Sequence, residues 1–229
     1  MALAVVQQAN GGQSSNSTTA AATFGTTTLA GSLLVACISR NNTNGASLSV
    51  TDSRSNTYVI GPAELHAGLH DKDIYYCKNA TANAGTVTAT SGATAAYFAI
   101  SIYEVTGADT SAPYDSGSGV GVNSTGTSVS SGTLTLAGGS EIIFAMMVLD
   151  GPPGSAGSGY TGVNFAVTGD ANKYFLSEYH IVSSAEAATA TQTSNTTWHI
   201  IAGAWKATAS FTAVNRRTLG PRVGSRSLY

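Results

Sequence analysis

Apolar residues along this chain fall in short blocks separated by Gly, Ser, Thr and Asn, without the 3.6-residue recurrence of an amphipathic helix. Leu33-Leu-Val-Ala-Cys-Ile38, Ile74-Tyr-Tyr-Cys77, Tyr97-Phe-Ala-Ile100, Ile142-Ile-Phe-Ala-Met-Met-Val148 and Ile200-Ile-Ala-Gly-Ala-Trp205 are rich in β-branched and aromatic residues and predict buried strands. Thr86-Val-Thr-Ala-Thr90 alternates, as a strand does with one face on a core and the other in water. Turn pairs such as Asn44-Gly45 and Gly169-Asp170 separate the strands. Five or six strands per half, ten to twelve in all, make an all-β chain.

The two halves echo one another. Leu29-Ala-Gly-Ser-Leu-Leu-Val-Ala-Cys-Ile-Ser39 returns as Leu136-Ala-Gly-Gly-Ser-Glu-Ile-Ile-Phe-Ala-Met-Met-Val148, each a turn followed by a buried strand. Asp73-Ile-Tyr-Tyr-Cys-Lys-Asn79 matches Lys173-Tyr-Phe-Leu-Ser-Glu-Tyr179, and Tyr97-Phe-Ala-Ile-Ser-Ile-Tyr-Glu-Val105 matches Trp198-His-Ile-Ile-Ala-Gly-Ala-Trp-Lys206. The order is preserved, giving pseudo-repeats over residues 24–105 and 127–206. Two architectures fit: one β-sandwich (jelly-roll or Ig-like) whose halves share a core, or two tandem sandwiches. The shared core over residues 1–206 is preferred, because residues 3–8 stand outside the repeat and no evident linker divides the halves. The Gly/Ser-rich residues 115–126 are the rival boundary, or a long loop across one end.

Composition adds a setting. Only 10% of the 229 residues are charged, which leaves a neutral, hydroxyl-rich surface. The N-terminal segment has no positive region ahead of an apolar run, and no stretch is apolar for long enough to span a bilayer, so synthesis in the cytoplasm is expected. Cys37 and Cys77 lie in apolar strands and read as buried, reduced thiols, with a cross-strand disulfide as the alternative.

The charge is unevenly placed. Residues 207–229 hold Arg216, Arg217, Arg222 and Arg226 and no carboxylate, a charge of +4, whereas residues 1–206 hold six Lys and Arg against twelve Asp and Glu, a charge of −6. With Gly220, Pro221 and Gly224 and no apolar periodicity, this stretch predicts an extended basic C-terminal arm. Leu219, Val223, Leu228 and Tyr229 are apolar anchors among the arginines. Together the eight residues form the candidate assembly interface, docking on a second, acidic copy of the chain or on another protein. Nucleic acid is disfavoured as a partner on this reading, because an acidic body repels a polyanion. Residues 10–19 are a second candidate arm that orders on contact.

Chemistry-bearing residues are sparse. Glu64, His66, His70, Asp71 and Asp73 are the densest polar set, but Gly68 separates the histidines, and the stretch reads as an exposed loop ahead of a strand; no metal or cofactor is assigned. His180 and His199 read as strand packing. No nucleophile elbow, zinc-protease helix, phosphate loop or Cys-x-x-Cys pair occurs. Asp52, Glu104, Asp109, Asp115, Asp150 and Asp170 read mostly as turn acids that cap their own backbone, and no catalytic residue is assigned. Tyr114 and Tyr160, in Gly/Pro/Ser-rich surroundings, are the candidate contacts for a host surface glycan; Tyr58 and Trp198 are weaker ones, and Trp198 and Trp205 read as core.

Ser32-Leu-Leu-Val-Ala36, Val50-Thr-Asp-Ser-Arg-Ser-Asn-Thr-Tyr58, Tyr75-Tyr-Cys-Lys-Asn-Ala80 with Ala84-Gly-Thr-Val-Thr88, and Tyr103-Glu-Val-Thr-Gly-Ala-Asp-Thr-Ser-Ala-Pro113 together resemble Ig-like or jelly-roll β-sandwich domains of tailed-bacteriophage virion proteins and bacterial surface proteins. The resemblance spans residues 29–207 and implies a fold and a setting without an active site. It leads to the expectation of a non-enzymatic virion structural protein, a capsid decoration, cement or fibre-type homo-oligomer. The alternative is a carbohydrate- or receptor-binding module.

Overall fold

In the computed structural model, residues 1–13, 16–41, 46–65, 70–166 and 173–209 are described, and among them every regular element is a strand. The first large sheet has the order β1 (Ala4–Gln13), β8 (Phe98–Thr106), β3 (Leu33–Asn41), β6 (His70–Cys77), β5 (Val59–Leu65), all antiparallel. A small sheet, β2 (Ser17–Thr23), β7 (Thr86–Ala95), β4 (Leu48–Asp52), covers one of its faces. The second half repeats this order: β9 (Tyr114–Thr133), β14 (Ala187–Lys206), β10 (Glu141–Leu149), β13 (Tyr174–Val182), β12 (Thr161–Ala166). Here β9 and β14 each run for 20 residues. The later part of β9 pairs with the earlier part of β14, which also pairs with β11 (Pro153–Ala156), so one pair of strands supplies both the large and the small layer.

Three apolar cores result. Between the two large sheets lie Leu33, Val35, Cys37, Ile74, Tyr97 and Tyr103 of the first half, against Ile142, Phe144, Met146, Phe175, Ile201 and Trp205 of the second. Outside the first large sheet, Leu34, Ala36, Ile38 and Ile100 meet Ala20, Ala22, Val87 and Ala89 of the small sheet. Outside the second, Ile143, Ala145, Met147 and Ile200 meet Val129, Leu134, Ala188 and Ala190. The molecule is a β-sandwich in which each half has its own small core and the large sheets share a third. Strands β3, β8, β10 and the end of β14 are apolar on both faces because each face meets a core, while β2 and β7 alternate because one face meets water.

Several expectations change. Residues 3–8 lie within the repeat: β1 pairs with β8 as the first part of β9 pairs with β14. Residues 115–126 are neither linker nor loop but part of β9. The junction is residues 107–113, where Asp109 Oδ1 accepts N–H bonds from Ser111 (2.7 Å) and Ala112 (3.2 Å). Residues 10–13 and 17–19 are paired strand rather than an arm. Asp71, Lys72 and Asp73 are not loop residues; they lie buried in β6. Asn44-Gly45, Gly169-Asp170 and His66 lie outside the described residues.

The thiols behave as expected. Cys37 and Cys77 are free and buried, and they point to opposite faces of the first large sheet, into the central and the outer core, so no bridge can join them. Burial pushes both thiols up, Cys77 to about 11.

Candidate functional site

The end of β14 is where the basic segment begins, and its surroundings are built from both halves. In each half a Leu-Ala-Gly turn enters the first buried strand of the large sheet, with Gly31 and Gly138 at positive φ (81° and 100°). Both turns are held by carboxylates. Glu104, 1% exposed, accepts the Leu29 N–H at 2.6 Å and the Ser32 hydroxyl at 2.8 Å through Oε1, and the Gln7 amide at 2.6 Å through Oε2. In the second half, Glu141 Oε1 accepts the Gly138 N–H at 3.1 Å and Asp115 Oδ2 the Ala137 N–H at 2.6 Å. Burial, and then the Asp115 charge, raise the Glu141 carboxyl above its ordinary range. These acids organise backbone, as carboxylates do when they satisfy orphan N–H groups.

Between the turns the chain passes from β14 into the segment beyond. Lys206 N–H donates to Pro113 O (2.7 Å), Ala207 N–H to Ser140 O (2.9 Å), and Thr208 N–H to Gly107 O (2.8 Å). Thr208 Oγ1 also donates to Ala108 O at 2.8 Å. Gly107 has φ 78°, and a Cβ there would collide with the carbonyl of Ala2, so the N-terminal residues lie against the same turn. A cleft of about 470 Å³ opens beside this root, lined by Asp109, Gly138, Gly139, Ser140, Lys206 and Thr208 among others. Residues 206–208 are thus clamped between the junction and the Ser140 turn of the second half, and the basic segment departs from a fixed point. The assembly candidates Arg216, Arg217, Leu219, Arg222, Val223, Arg226, Leu228 and Tyr229 lie outside the described residues.

The two glycan candidates do not form exposed platforms. Tyr160 is 9% exposed, inside the outer core of the second half, with its ring 5.1 Å from that of His180. Tyr114 opens β9 and is half-buried, its ring 5.3 Å from Trp205 and 5.7 Å from Tyr76. Gly/Pro/Ser-rich surroundings suggested rings without a core; the outer core of the second half receives Tyr160, and the central core receives Tyr114. Tyr58 is half-buried with its hydroxyl on Asp52, and Trp198 and Trp205 are core, as expected.

Two buried polar groups escaped the sequence reading. Arg40 is 2% exposed: its Nη1 donates to Ser91 Oγ (2.8 Å) and Ser47 O (3.0 Å), its Nη2 to Ala46 O (2.5 Å), and its Nε lies 3.5 Å from Asp71. Desolvation raises the nearby Asp73 to about 6, with Arg40 pulling the other way. In the second half Glu178 is fully buried, accepts the Gly157 N–H at 3.1 Å, and is raised to about 8, chiefly by burial, which disfavours its charged form. Beside it His180 Nδ1 meets Glu186 at 2.8 Å. Charged residues placed in strands flanked by apolar neighbours were the available signal. Among the described residues no three His, Cys, Asp or Glu side chains are placed to hold a metal ion.

The class defined by these observations is a β-sandwich of duplicated halves, with a clamped strand end leading into a basic segment. No protein family, no curated protein and no solved structure matches this chain.

Proposed function

We propose that the chain is a non-enzymatic structural subunit of a tailed-bacteriophage particle, of the decoration, cement or fibre type. On this reading it is made in the host cytoplasm and assembles with itself and other virion proteins through residues 207–229. The observation that carries the proposal is the clamp on residues 206–208, which gives a segment rich in arginine and apolar anchors a fixed point of departure. The buried acids support it: Glu104, Asp115 and Glu141 are committed to holding backbone. A neutral, hydroxyl-rich exterior suits a subunit held in an array.

The test compares the full chain with one ending at Ala209, which keeps the clamp, by size-exclusion chromatography with light scattering at low and physiological salt. Self-association of the full chain together with a folded, monomeric truncation is the expected outcome. Identical monomers would remove self-assembly through the segment.

A further inference from the structure

The two Leu-Ala-Gly turns differ in how their leucines are covered. Leu136 of the second half is half-buried and packs against the outer core of that half. Its counterpart in the first half, Leu29, is 54% exposed. A loose turn is not the cause. Glu104 holds the Leu29 N–H and the Ser32 hydroxyl, Gly31 N–H donates to Ala80 O at 2.9 Å, and Gly31 sits at φ 81°. A fixed backbone therefore presents to solvent a leucine whose repeat partner is covered. Covering it from outside gains the apolar transfer energy without first ordering the turn.

A pocket of about 210 Å³ opens beside this leucine, lined by Met1, Leu29, Gly31, Thr106, Gly107 and Thr208 among others, and among the described residues no charged side chain lines it. Thr208 also lines the larger cleft, where Asp109 and Lys206 lie. The pocket beside Leu29 is thus the apolar seat of the two, and the cleft suits charged groups. Thr208 and Ala209, the last described residues, stand at these openings. Residues 210–229 follow, with Leu219, Val223, Leu228 and Tyr229 as apolar side chains to be covered.

We infer that the pocket beside Leu29 receives an apolar side chain of residues 210–229 from a second copy of this chain. The inference rests on the assembly reading above and names the surface on which the segment lands. Leu219 is eleven residues beyond Thr208, a reach of up to roughly 36 Å when extended, which is enough to cross to a neighbour. The segment carries +4 and residues 1–206 carry −6, so the landing copy attracts the arginines that flank the apolar residues. Because Thr208 is both the root of the segment and a wall of the pocket, donor and acceptor lie side by side. Two copies related by a two-fold axis can then exchange segments reciprocally, and the contact closes at a dimer.

The test uses the full chain, its Leu29→Ser and Leu29→Met variants, and Ile60→Ser as a control, since Ile60 is 49% exposed on the edge strand β5 and does not line the pocket. Light scattering over a dilution series gives the dimer dissociation constant, and hydrogen exchange at residues 29–32 is compared with that of the chain ending at Ala209. The full chain is expected to form a dimer in which residues 29–32 exchange more slowly than in the truncation. Leu29→Ser should raise the dissociation constant about 100-fold, because the leucine contact occurs twice per dimer. Leu29→Met and Ile60→Ser should leave it unchanged, with all variants unfolding at the same urea concentration as the full chain. Undiminished association of Leu29→Ser, or an equal loss from Ile60→Ser, would overturn the pocket and leave the assembly reading standing. Assemblies that keep growing with concentration would overturn the reciprocal exchange. A monomeric full chain would overturn both the pocket's second-copy occupant and self-assembly; slowed exchange at residues 29–32 in that monomer would place the chain's own segment there instead.

Discussion

Ser91 in the first half and Gln192 in the second occupy corresponding places: each pairs with the first residue of a short edge strand, Leu48 or Pro153, where the chain crosses from the small layer to the large sheet. In the first half Ser91 Oγ accepts the Ala93 N–H at 3.3 Å, and Arg40 of β3 enters from the large sheet to bond Ser91, Ser47 and Ala46. The guanidinium then requires Asp71 close by, and Asp73 shares its field. In the second half the Gln192 amide does the work alone: Nε2 donates to Gly126 O and Thr196 O, both at 2.6 Å, and Oε1 accepts the Gly151 N–H at 3.3 Å. That amide bridges the irregular register at residues 191–196, and β14 continues as one strand, whereas β7 and β8 are separate. Neutral hydrogen bonds and a buried ion pair therefore satisfy equivalent backbone, but only the ionic version brings in further charges and a dependence on pH.

The strongest way to break the comparison is Arg40→Met, which removes the guanidinium beside the buried Asp71 and Asp73; a loss of roughly 3–5 kcal/mol is expected in urea unfolding. Exchanging Asp71 for Leu in the same protein should return part of that loss, because it removes the acid that lay against the guanidinium while Asp73 keeps the charge of Lys72. A smaller effect is expected from pH. Glu178 is raised from 4.5 to about 8 and Asp73 from 3.8 to about 6, so each favours the folded state most below its unfolded value. That contribution is lost as pH rises through the folded value, and unfolding temperature should fall between pH 5 and 9. Glu178→Gln should flatten the upper part of this profile and gain roughly 2–4 kcal/mol at pH 9, with little change near pH 5.

Gln192→Leu tests the neutral corner and should cost about 1–3 kcal/mol by leaving backbone groups unpaired, with no new pH dependence. A cost equal to that of Arg40→Met would erase the distinction between the corners. The smallest effect belongs to the exposed hydroxyl pair of Thr23 and Thr86, 2.9 Å apart, where Thr23→Ala should stay within about 0.5 kcal/mol.

Much of the fold was legible. The apolar blocks Leu33–Ile38, Ile142–Val148 and Ile200–Trp205 became central strands, and the Leu-Ala-Gly echo marked equivalent turns. Residues 3–8 escaped the repeat because their counterpart is the Gly/Ser-rich start of β9, which shares its pairing and not its residues. The candidate site was less legible. Tyr160 looked exposed because a local window shows turn residues but not the outer core that receives the ring. Asp71 and Asp73 looked like loop acids because Arg40, about thirty residues earlier, gives no sign in sequence that it will lie beside them.

By itself the sequence determined the strand-rich character, the duplication and the separation of a +4 segment from the rest, since these depend on residue type and order along the chain. Only the tertiary structure decided which charges remain at the surface. Burial depends on which faces meet when the large sheets stack, and two carboxylates alike in sequence, Asp109 and Glu104, end on opposite sides of that division: one capping an exposed turn, the other closed over by three hydrogen bonds in the interior.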